Sequence, residues 1–149
     1  MNTELKENAR AKIEKFEKVF AQYPGVKHGD MDECPLTHKF ADGVYVREIF
    51  IPADTLVVGK IHRHSHPNFL MKGKVAVYTE DGGSQILEAP LSIISPAGTK
   101  RVVYAIEDTV WITVHVTEET DLDKIEEVVI AKTYNELTHD DKEELLWHG

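Results

Sequence analysis

The stretch KIHRHSHPNFLMKG, residues 60–73, has a histidine at every second position: His62, His64 and His66. In a β-strand, residues i, i+2 and i+4 point to one face of the sheet, whereas a helix would spread the same residues around its axis. The spacing therefore predicts an extended segment with three imidazoles on one side. Imidazole is the commonest protein ligand for a transition metal, so the histidines form a candidate metal site with open coordination positions.

Two other interpretations of this histidine run stay open. The whole run could be exposed to solvent, as ordinary polar strand residues are. Alternatively, one or two of the histidines could bind a metal while the third points elsewhere. The spacing alone does not separate these interpretations, because period-2 alternation specifies a shared face but not what that face contacts.

The chain around the histidines has the pattern of short β-strands separated by turn residues. Turn signals such as Asp42-Gly43, Gly73 and Pro96-Ala97-Gly98 recur roughly every 8 to 12 residues, which is typical of a sandwich or a jelly-roll barrel. This spacing leaves no room for crossover helices, so a parallel α/β sheet is not expected. The predicted strands are Cys34–Ala41, Val44–Ile51, Thr55–His64, Asn68–Lys72, Lys74–Glu80, Ser84–Glu88, Leu91–Ile94, Arg101–Ile106 and Thr109–Thr117.

Helical patterns flank the predicted strands at both ends of the chain. Residues 4–22 have apolar side chains at helical spacing and end at Tyr23-Pro24-Gly25. After residue 117, Thr120–Asp123 resembles a capping box, although VVIA at 128–131 also suits a strand. We therefore predict one mainly β domain over residues 1–149. It consists of an N-terminal helix (1–25), a jelly-roll β-barrel (33–117), and an acidic, mostly helical C-terminal segment (118–149).

Composition and charge restrict the classes of protein to consider. The 149 residues are 42% hydrophobic and 29% charged, an ordinary composition for a soluble domain. No stretch approaches the roughly 20 apolar residues of a membrane span, and the N-terminus does not resemble a signal peptide. The lone Cys34 cannot form an intramolecular disulfide and suits a reducing compartment. We therefore expect a cytoplasmic protein without a membrane partner.

The formal net charge is −9, and most of it lies late in the chain. Residues 118–146 contain eleven acidic residues and three lysines. Phosphate contacts need clustered lysine and arginine, so nucleic acid is not expected as a partner. The acidic segment is interpreted either as a solvated helix face or as an acidic docking face.

The strand series, with His62-x-His64, Gly73 and Pro96-x-Gly98, resembles the cupin superfamily over roughly residues 44–117. The resemblance implies a small jelly-roll barrel. In the family, two histidines, a glutamate and a later histidine hold a divalent metal inside the barrel. It also implies a homodimer, because small stand-alone cupins are often dimeric.

This sequence departs from the family motif at two of the four ligand positions. Counting back from Gly73 places His66 where the family has its glutamate, whereas the usual spacer would place Asn68 there. Arg101 occupies the position of the last histidine. The resemblance then implies a metal held by His62, His64 and His66 without a carboxylate, or a lost site. The ion could be zinc, nickel, iron, copper, cobalt or manganese.

Further residues are candidates for a pocket. His115 lies on the strand face shared by Trp111 and Thr113, as an inward fourth ligand or general base, or as a structural hydrogen-bonding residue. Arg101 could hold a carboxylate or phosphate of a ligand from inside the barrel, or lie exposed at a strand end. Tyr78 and Tyr104 could line the cavity or fill it. The histidines without a spacing relation to the triplet are treated as incidental: His28, His38, His139 and His148.

Three functions are compatible with these features. The first is a metal-dependent enzyme acting on a small molecule, of the dioxygenase, isomerase or lyase type. The second is a non-catalytic module that binds a small, anionic ligand with or without metal. The third is a protein-interaction scaffold in which the terminal helices make the contacts. A fold hosts many functions, so only the contents of the site can separate them.

Overall fold

The computed structural model describes residues 11, 14, 26–28, 34–79 and 83–131. The helix predicted for residues 4–22 lies outside this set except for Ala11 and Glu14, which are helical and exposed, and residues 132–149 of the predicted C-terminal segment also lie outside it. No helix within these residues is long and apolar enough to span a membrane. The strands are β1 Val26–His28, β2 Leu36–Ala41, β3 Val44–Ile51, β4 Leu56–Val58, β5 Ile61–His62, β6 His66–Lys72, β7 Lys74–Thr79, β8 Gly83–Glu88, β9 Leu91–Ser95, β10 Arg101–Ala105, β11 Thr109–Val116 and β12 Ile130–Ala131, with helix α1 at Leu122–Val129.

Within the described residues, ten strands form two five-stranded sheets with the orders β1-β4-β10-β7-β8 and β2-β3-β11-β6-β9. Neighbouring strands are antiparallel, except that β1 and β4 are parallel. An apolar core lies between the sheets, with Val57, Val75 and Val103 from one and Ile49, Leu70 and Trp111 from the other. The mainly β fold with antiparallel sheets and a C-terminal helix is therefore confirmed, and it fits a jelly roll.

Period-2 alternation decides which side chains lie between the sheets. Along β11, Thr109, Trp111, Thr113 and His115 are buried, and the residues between them are more exposed. Strand β3 pairs with β11 so that Arg47 lies opposite Thr113 and Tyr45 opposite His115. The inner face of this sheet thus changes from apolar residues near Trp111 to polar residues near His115.

The histidine run is not one continuous strand, and this part of the prediction is wrong. The strand predicted over residues 55–64 is divided, because β4 pairs with β10 whereas β5 pairs with β12. The chain bends after His62 and enters β6 already at His66. Pro67 lies within β6. The register between β11 and β6 reaches only to Asn68, so the missing N–H of Pro67 lies beyond that pairing.

Helix α1 and β12, residues 122–131, lie against the histidine end of the sheets. The cap is Asp121, one residue after the predicted Thr120, and its side chain accepts hydrogen bonds from the N–H groups of Asp123 and Lys124. Ile125 and Val129 are buried beside Tyr45. The VVIA run is divided between helix and strand, and Ile130 in β12 pairs with His62 in β5.

Replacing Gly73 with alanine is expected to destabilise the fold by at least about 2 kcal/mol. Gly73 has φ +98, and a Cβ there would lie 2.5 Å from the Asp108 carbonyl oxygen and 2.9 Å from Thr109 Cα. Gly83→Ala is the matched control, because Gly83 also has positive φ (+62) but nothing within 4 Å of the added Cβ. Chemical denaturation would measure both. Equal losses in the two variants would contradict the steric explanation.

Candidate metal centre and ligand cavity

Three imidazoles from three strands come together between the sheets. His62 ends β5, His66 begins β6, and His115 lies near the end of β11. The His62 and His66 ring centroids are 4.3 Å apart, those of His66 and His115 4.9 Å, and those of His62 and His115 5.3 Å. His66 is 2% exposed and His115 6%. We call His62, His66 and His115 the histidine cluster.

His64 does not belong to the histidine cluster. Its side chain is exposed, at the bend between β5 and β6. Its backbone carbonyl accepts a hydrogen bond from His66 Nδ1 at 3.2 Å. The bend therefore separates His64 from the two histidines that flank it in sequence, while the carbonyl of His64 orients the ring of His66.

The hydrogen bond to His66 leaves the other ring nitrogen as an acceptor. Because a carbonyl can only accept, Nδ1 carries the proton, and Nε2 carries the lone pair of the neutral ring. His66 Nε2 is buried and has no hydrogen-bond partner among the described residues. Leaving a buried acceptor unsatisfied costs about 1–3 kcal/mol. An Nδ1–H bonded to a carbonyl with a free Nε2 is also the arrangement found in metal-ligating histidines.

The environment keeps the histidine cluster neutral. Burial, as the largest cause, lowers the pKa of His66 to about 4 and that of His115 to about 3, from the usual value near 6.5. Burial also holds the pKa of His62 well below its usual value, with smaller contributions from His66, His115, Arg101 and Arg47. At neutral pH the three rings are therefore uncharged, which is the form that binds a metal.

The spacing of the rings suits a metal, but their orientation does not yet form a coordination sphere. With metal–nitrogen bonds of about 2.1 Å, imidazoles around one ion have centres about 5 Å apart. The His62 and His115 rings are stacked with 18° between their planes. No group of three or more His, Cys, Asp or Glu side chains in the described part of the chain is arranged to hold a metal ion. Metal uptake thus requires the rings to reorient about their side-chain torsions.

A cavity of about 830 Å³ adjoins the histidine cluster. His62 and His115 line it, together with Arg47, Thr113 and Trp111. Apolar side chains of both sheets line the remainder, including Ile49, Ile51, Val57 and Val103. The volume is in the range of cavities that enclose small organic molecules.

Arg101 lines this cavity. Its guanidinium carbon lies 5.5 Å from the centroid of the Trp111 ring, and its Nη2 donates a hydrogen bond to the Ser95 hydroxyl. A guanidinium stacked on an indole is held in place and keeps its charge. The residue that stands at the family's last histidine position thus presents a fixed cation to the cavity.

Asn68 has a supporting position. It is fully buried, its amide nitrogen donates to Ser95 Oγ at 2.8 Å, and its amide oxygen accepts from Trp111 Nε1 at 3.1 Å. Because both ends of the amide have partners, Asn68 fixes Trp111 and Ser95, and both of these side chains contact Arg101. The structure shows it as a connection between strands β6, β9 and β11.

Replacing Asn68 with alanine is expected to destabilise the protein by about 2–4 kcal/mol, since Trp111 Nε1 and Ser95 lose buried partners. Urea denaturation would measure the loss, and Ser92→Ala, at an exposed site on β9, is the control. If Asn68→Ala instead left the free energy of unfolding unchanged but the protein lost bound metal, Asn68 would occupy the position of the metal-binding glutamate in the cupin motif.

The other predicted pocket residues lie elsewhere. Tyr104 is 38% exposed, and its hydroxyl donates to Asp54 Oδ1 at 2.8 Å. Tyr78 lies on β7 and, like Tyr104, is not among the residues that line the cavity. On each of these strands the neighbouring valines, Val77 and Val103, are buried in the core. The tyrosines therefore neither line nor fill this cavity.

Sequence reasoning missed three residues on the inner face. Arg47, Tyr45 and His38 all line the cavity, and His38 Nδ1 is 2.6 Å from the Tyr45 hydroxyl oxygen. Tyr45 in turn stacks on His115. The available signal was the alternation along β3, in which Tyr45, Arg47 and Ile49 share one face. No local sequence pattern could have placed His38 at the cavity, because its contact with Tyr45 arises from the pairing of β2 with β3.

Helix α1 contributes another wall of the cavity, through Leu122, Ile125 and Val129. Besides the pairing of β12 with β5, side-chain contacts join this helix and β12 to the chain beside the histidine cluster. Lys60 Nζ lies 2.7 Å from Glu126 Oε1, and Arg63 Nε donates to the Ile130 carbonyl at 3.1 Å. Helix α1 and Ile130 therefore cover part of the space beside His62.

Comparisons with known proteins give similarity in structure alone. No family model matches the chain, and no curated protein matches its sequence. KdgF from a Halomonas species is 13% identical, with a TM-score of 0.52 over 64% of this chain and 88% of that chain. The Schizosaccharomyces pombe Cnp3 cupin domain is 15% identical, with a TM-score of 0.50 over 65% of this chain and 72% of that one. The DMSP lyase DddQ from Ruegeria pomeroyi is 14% identical, with a TM-score of 0.50 over 62% of this chain and 51% of that one.

Proposed function

Because this chain has the cupin fold, we propose that it binds a divalent transition metal through His62, His66 and His115 and acts on a small molecule in the adjoining cavity. The proposal replaces His64 of the sequence-based triplet with His115. Its chemistry would be of the dioxygenase, isomerase or lyase type. The homodimer and the cytoplasmic location expected from the sequence stay predictions.

One observation carries this proposal: the buried Nε2 of His66 has no hydrogen-bond partner among the described residues, and its ring centroid lies 4.3 Å and 4.9 Å from those of two further neutral imidazoles, His62 and His115. A structural histidine of a core would be expected to have both ring nitrogens satisfied. Three uncharged rings within a few ångströms gain nothing from each other electrostatically. A cation bound among them would supply the missing partner.

The residues around the histidine cluster have separate roles in this proposal. The His64 carbonyl holds the His66 ring in the tautomer that keeps Nε2 free. Arg101 and Arg47 present positive charge to the cavity, and the apolar walls of the two sheets exclude water from the rest of it. A bound ion would supply Lewis-acid or redox chemistry, depending on its identity.

A second candidate function is non-catalytic binding of a small ligand without metal. The stacked orientation of His62 and His115 favours it, because these rings are not arranged around one point. The ligand would then contact the histidines directly through hydrogen bonds. Metal content separates the two candidates.

The test is elemental analysis of untagged protein, followed by thermal melting with and without a chelator. About one equivalent of a transition metal, and a melting temperature lowered by the chelator, is the expected result. The chelated protein should retain its β-sheet circular dichroism, because the core is large enough without an ion. Absence of metal, with no shift when zinc, nickel, iron, copper, cobalt or manganese is added, would favour the second candidate.

A further inference from the structure

Cations outnumber acids among the described residues that line the cavity. Among the described residues that line it, the cations are Arg47, Lys60, Lys100 and Arg101, and the acids are Asp123 and Glu126. These described lining residues therefore carry an excess of positive charge, in a chain with a net charge of −9. Charges of one sign in a low-dielectric cleft concentrate ligands of the other sign.

The two arginines and one hydroxyl face the same part of the cavity. Arg47 on β3 lies opposite Thr113 on β11, and Arg101 stacks on Trp111, the next inward residue on β11. Arg47, Arg101 and Thr113 all line the cavity. We call Arg47, Arg101 and Thr113 the anion subsite.

Thr113 gives independent support for a ligand at this place. Its hydroxyl oxygen is buried, and it has no hydrogen-bond partner within the described part of the chain. The residue is 7% exposed. A hydroxyl can donate one hydrogen bond and accept two, and burying it without a partner is unfavourable. A ligand oxygen in the cavity would satisfy it.

We propose that the cavity binds a small organic anion, with an oxyanion group held by Arg47, Arg101 and the Thr113 hydroxyl and the rest of the molecule beside the histidine cluster. This inference rests on the proposed function, because it names the substrate class of the same cavity. Guanidinium groups present paired N–H donors that match the two oxygens of a carboxylate or a phosphate. The cation stacked on Trp111 is fixed before binding, so little side-chain freedom is lost.

The test is calorimetric titration of the purified full-length protein. The probes are succinate, its neutral analogue succinamide, and inorganic phosphate. We expect succinate or phosphate to bind, binding to weaken in high salt, and succinamide not to bind. Comparing the affinities for succinate and for phosphate shows whether the subsite prefers a carboxylate or a phosphate. Binding of succinamide as tightly as succinate, or no binding of either anion, would overturn the proposal.

Variants assign the binding to the subsite. Arg47→Gln and Arg101→Gln are each expected to weaken anion binding about tenfold or more, because a charge-assisted hydrogen bond is lost. Lys39→Gln removes the same charge from an exposed position on β2 and should bind like the wild type. Arg47→Lys and Arg101→Lys retain the charge and are measured in case the glutamine variants do not fold. Arginine variants with wild-type affinity would contradict the proposal.

Thr113 allows a test that leaves the charge unchanged. Thr113→Val preserves shape but removes the hydroxyl, so anion affinity should fall several-fold while the free energy of unfolding stays equal or rises. Thr113→Ser retains the hydroxyl and should retain the affinity. Equal affinities in both variants would exclude Thr113 from the subsite.

The outcomes for the metal and for the anion are separable. Arginine variants should lose anion binding while retaining metal, as measured by elemental analysis. A metal-free protein whose anion binding depends on Arg47 and Arg101 would contradict the proposed function and support the subsite. A metal-loaded protein whose anion binding is insensitive to both arginines would support the proposed function and contradict the anion subsite.

Discussion

His66→Ala is expected to lower metal affinity by at least about 100-fold, and His115→Ala to do the same, whereas His64→Ala should bind metal like the wild type. His66 and His115 are buried with their ring centroids 4.9 Å apart, and His66 Nε2 has no hydrogen-bond partner in the described part of the chain. The His64 ring is exposed, and the hydrogen bond from His66 is accepted by the His64 backbone carbonyl, which alanine preserves. Elemental analysis and competition with a chromogenic chelator would measure the affinities.

This comparison distinguishes the tertiary arrangement from the sequence spacing. If the histidines bound metal through their i, i+2, i+4 spacing, His64→Ala would abolish binding and His115→Ala would not. Retained stoichiometric metal in the His66→Ala, His115→Ala double variant would contradict the proposed centre altogether. Circular dichroism of each variant controls for loss of fold.

The second large effect is an expected loss of folding stability at acidic pH. The chelated, metal-free protein is expected to lose stability as the pH falls from about 6.5 towards 4. In the unfolded chain the histidines have pKa values near 6.5, whereas burial lowers that of His66 to about 4 and that of His115 to about 3. Over this window the unfolded chain takes up protons that the folded protein excludes, which favours unfolding. His66 alone would contribute a loss of about 3 kcal/mol.

Urea denaturation at several pH values between 7 and 4.5 would measure this loss. Above pH 6.5 the rings are neutral in both states, so the stability should be nearly flat with respect to these groups. His66→Gln should reduce the slope below pH 6.5, and His64→Gln, at an exposed position, should not change it. A wild-type slope in His66→Gln would contradict the assignment of the acid loss to the buried ring.

Much of the strand pattern was predictable because each hairpin is encoded locally. The Asp42-Gly43 turn predicted the β2–β3 hairpin, and Gly73 predicted the turn between β6 and β7, where the backbone adopts φ +98. Alternation along Thr109–Thr117 also placed His115 on the face of Trp111 and Thr113, and that face is buried. These features depend on neighbouring residues alone.

The histidine run shows where local reasoning fails. Its spacing suits a strand, but the strand ends at His62 because β5 pairs with β12, a partner far along the chain. The pairing turns His64 outward and returns His66 to the inner face. Arg47 was overlooked because an arginine at an inward position contradicts the expected apolar alternation, and only its pairing opposite Thr113 shows what it faces.

The sequence by itself determined the strand-rich fold, the turns and the inward face of each long strand, since these follow from side-chain alternation and turn residues. Only the tertiary structure decided which inward residues meet. His115 reaches His66 through the pairing of β11 with β6, and Arg101 reaches Trp111 across the two sheets. Such contacts depend on strand order and register between distant segments, which no local pattern specifies.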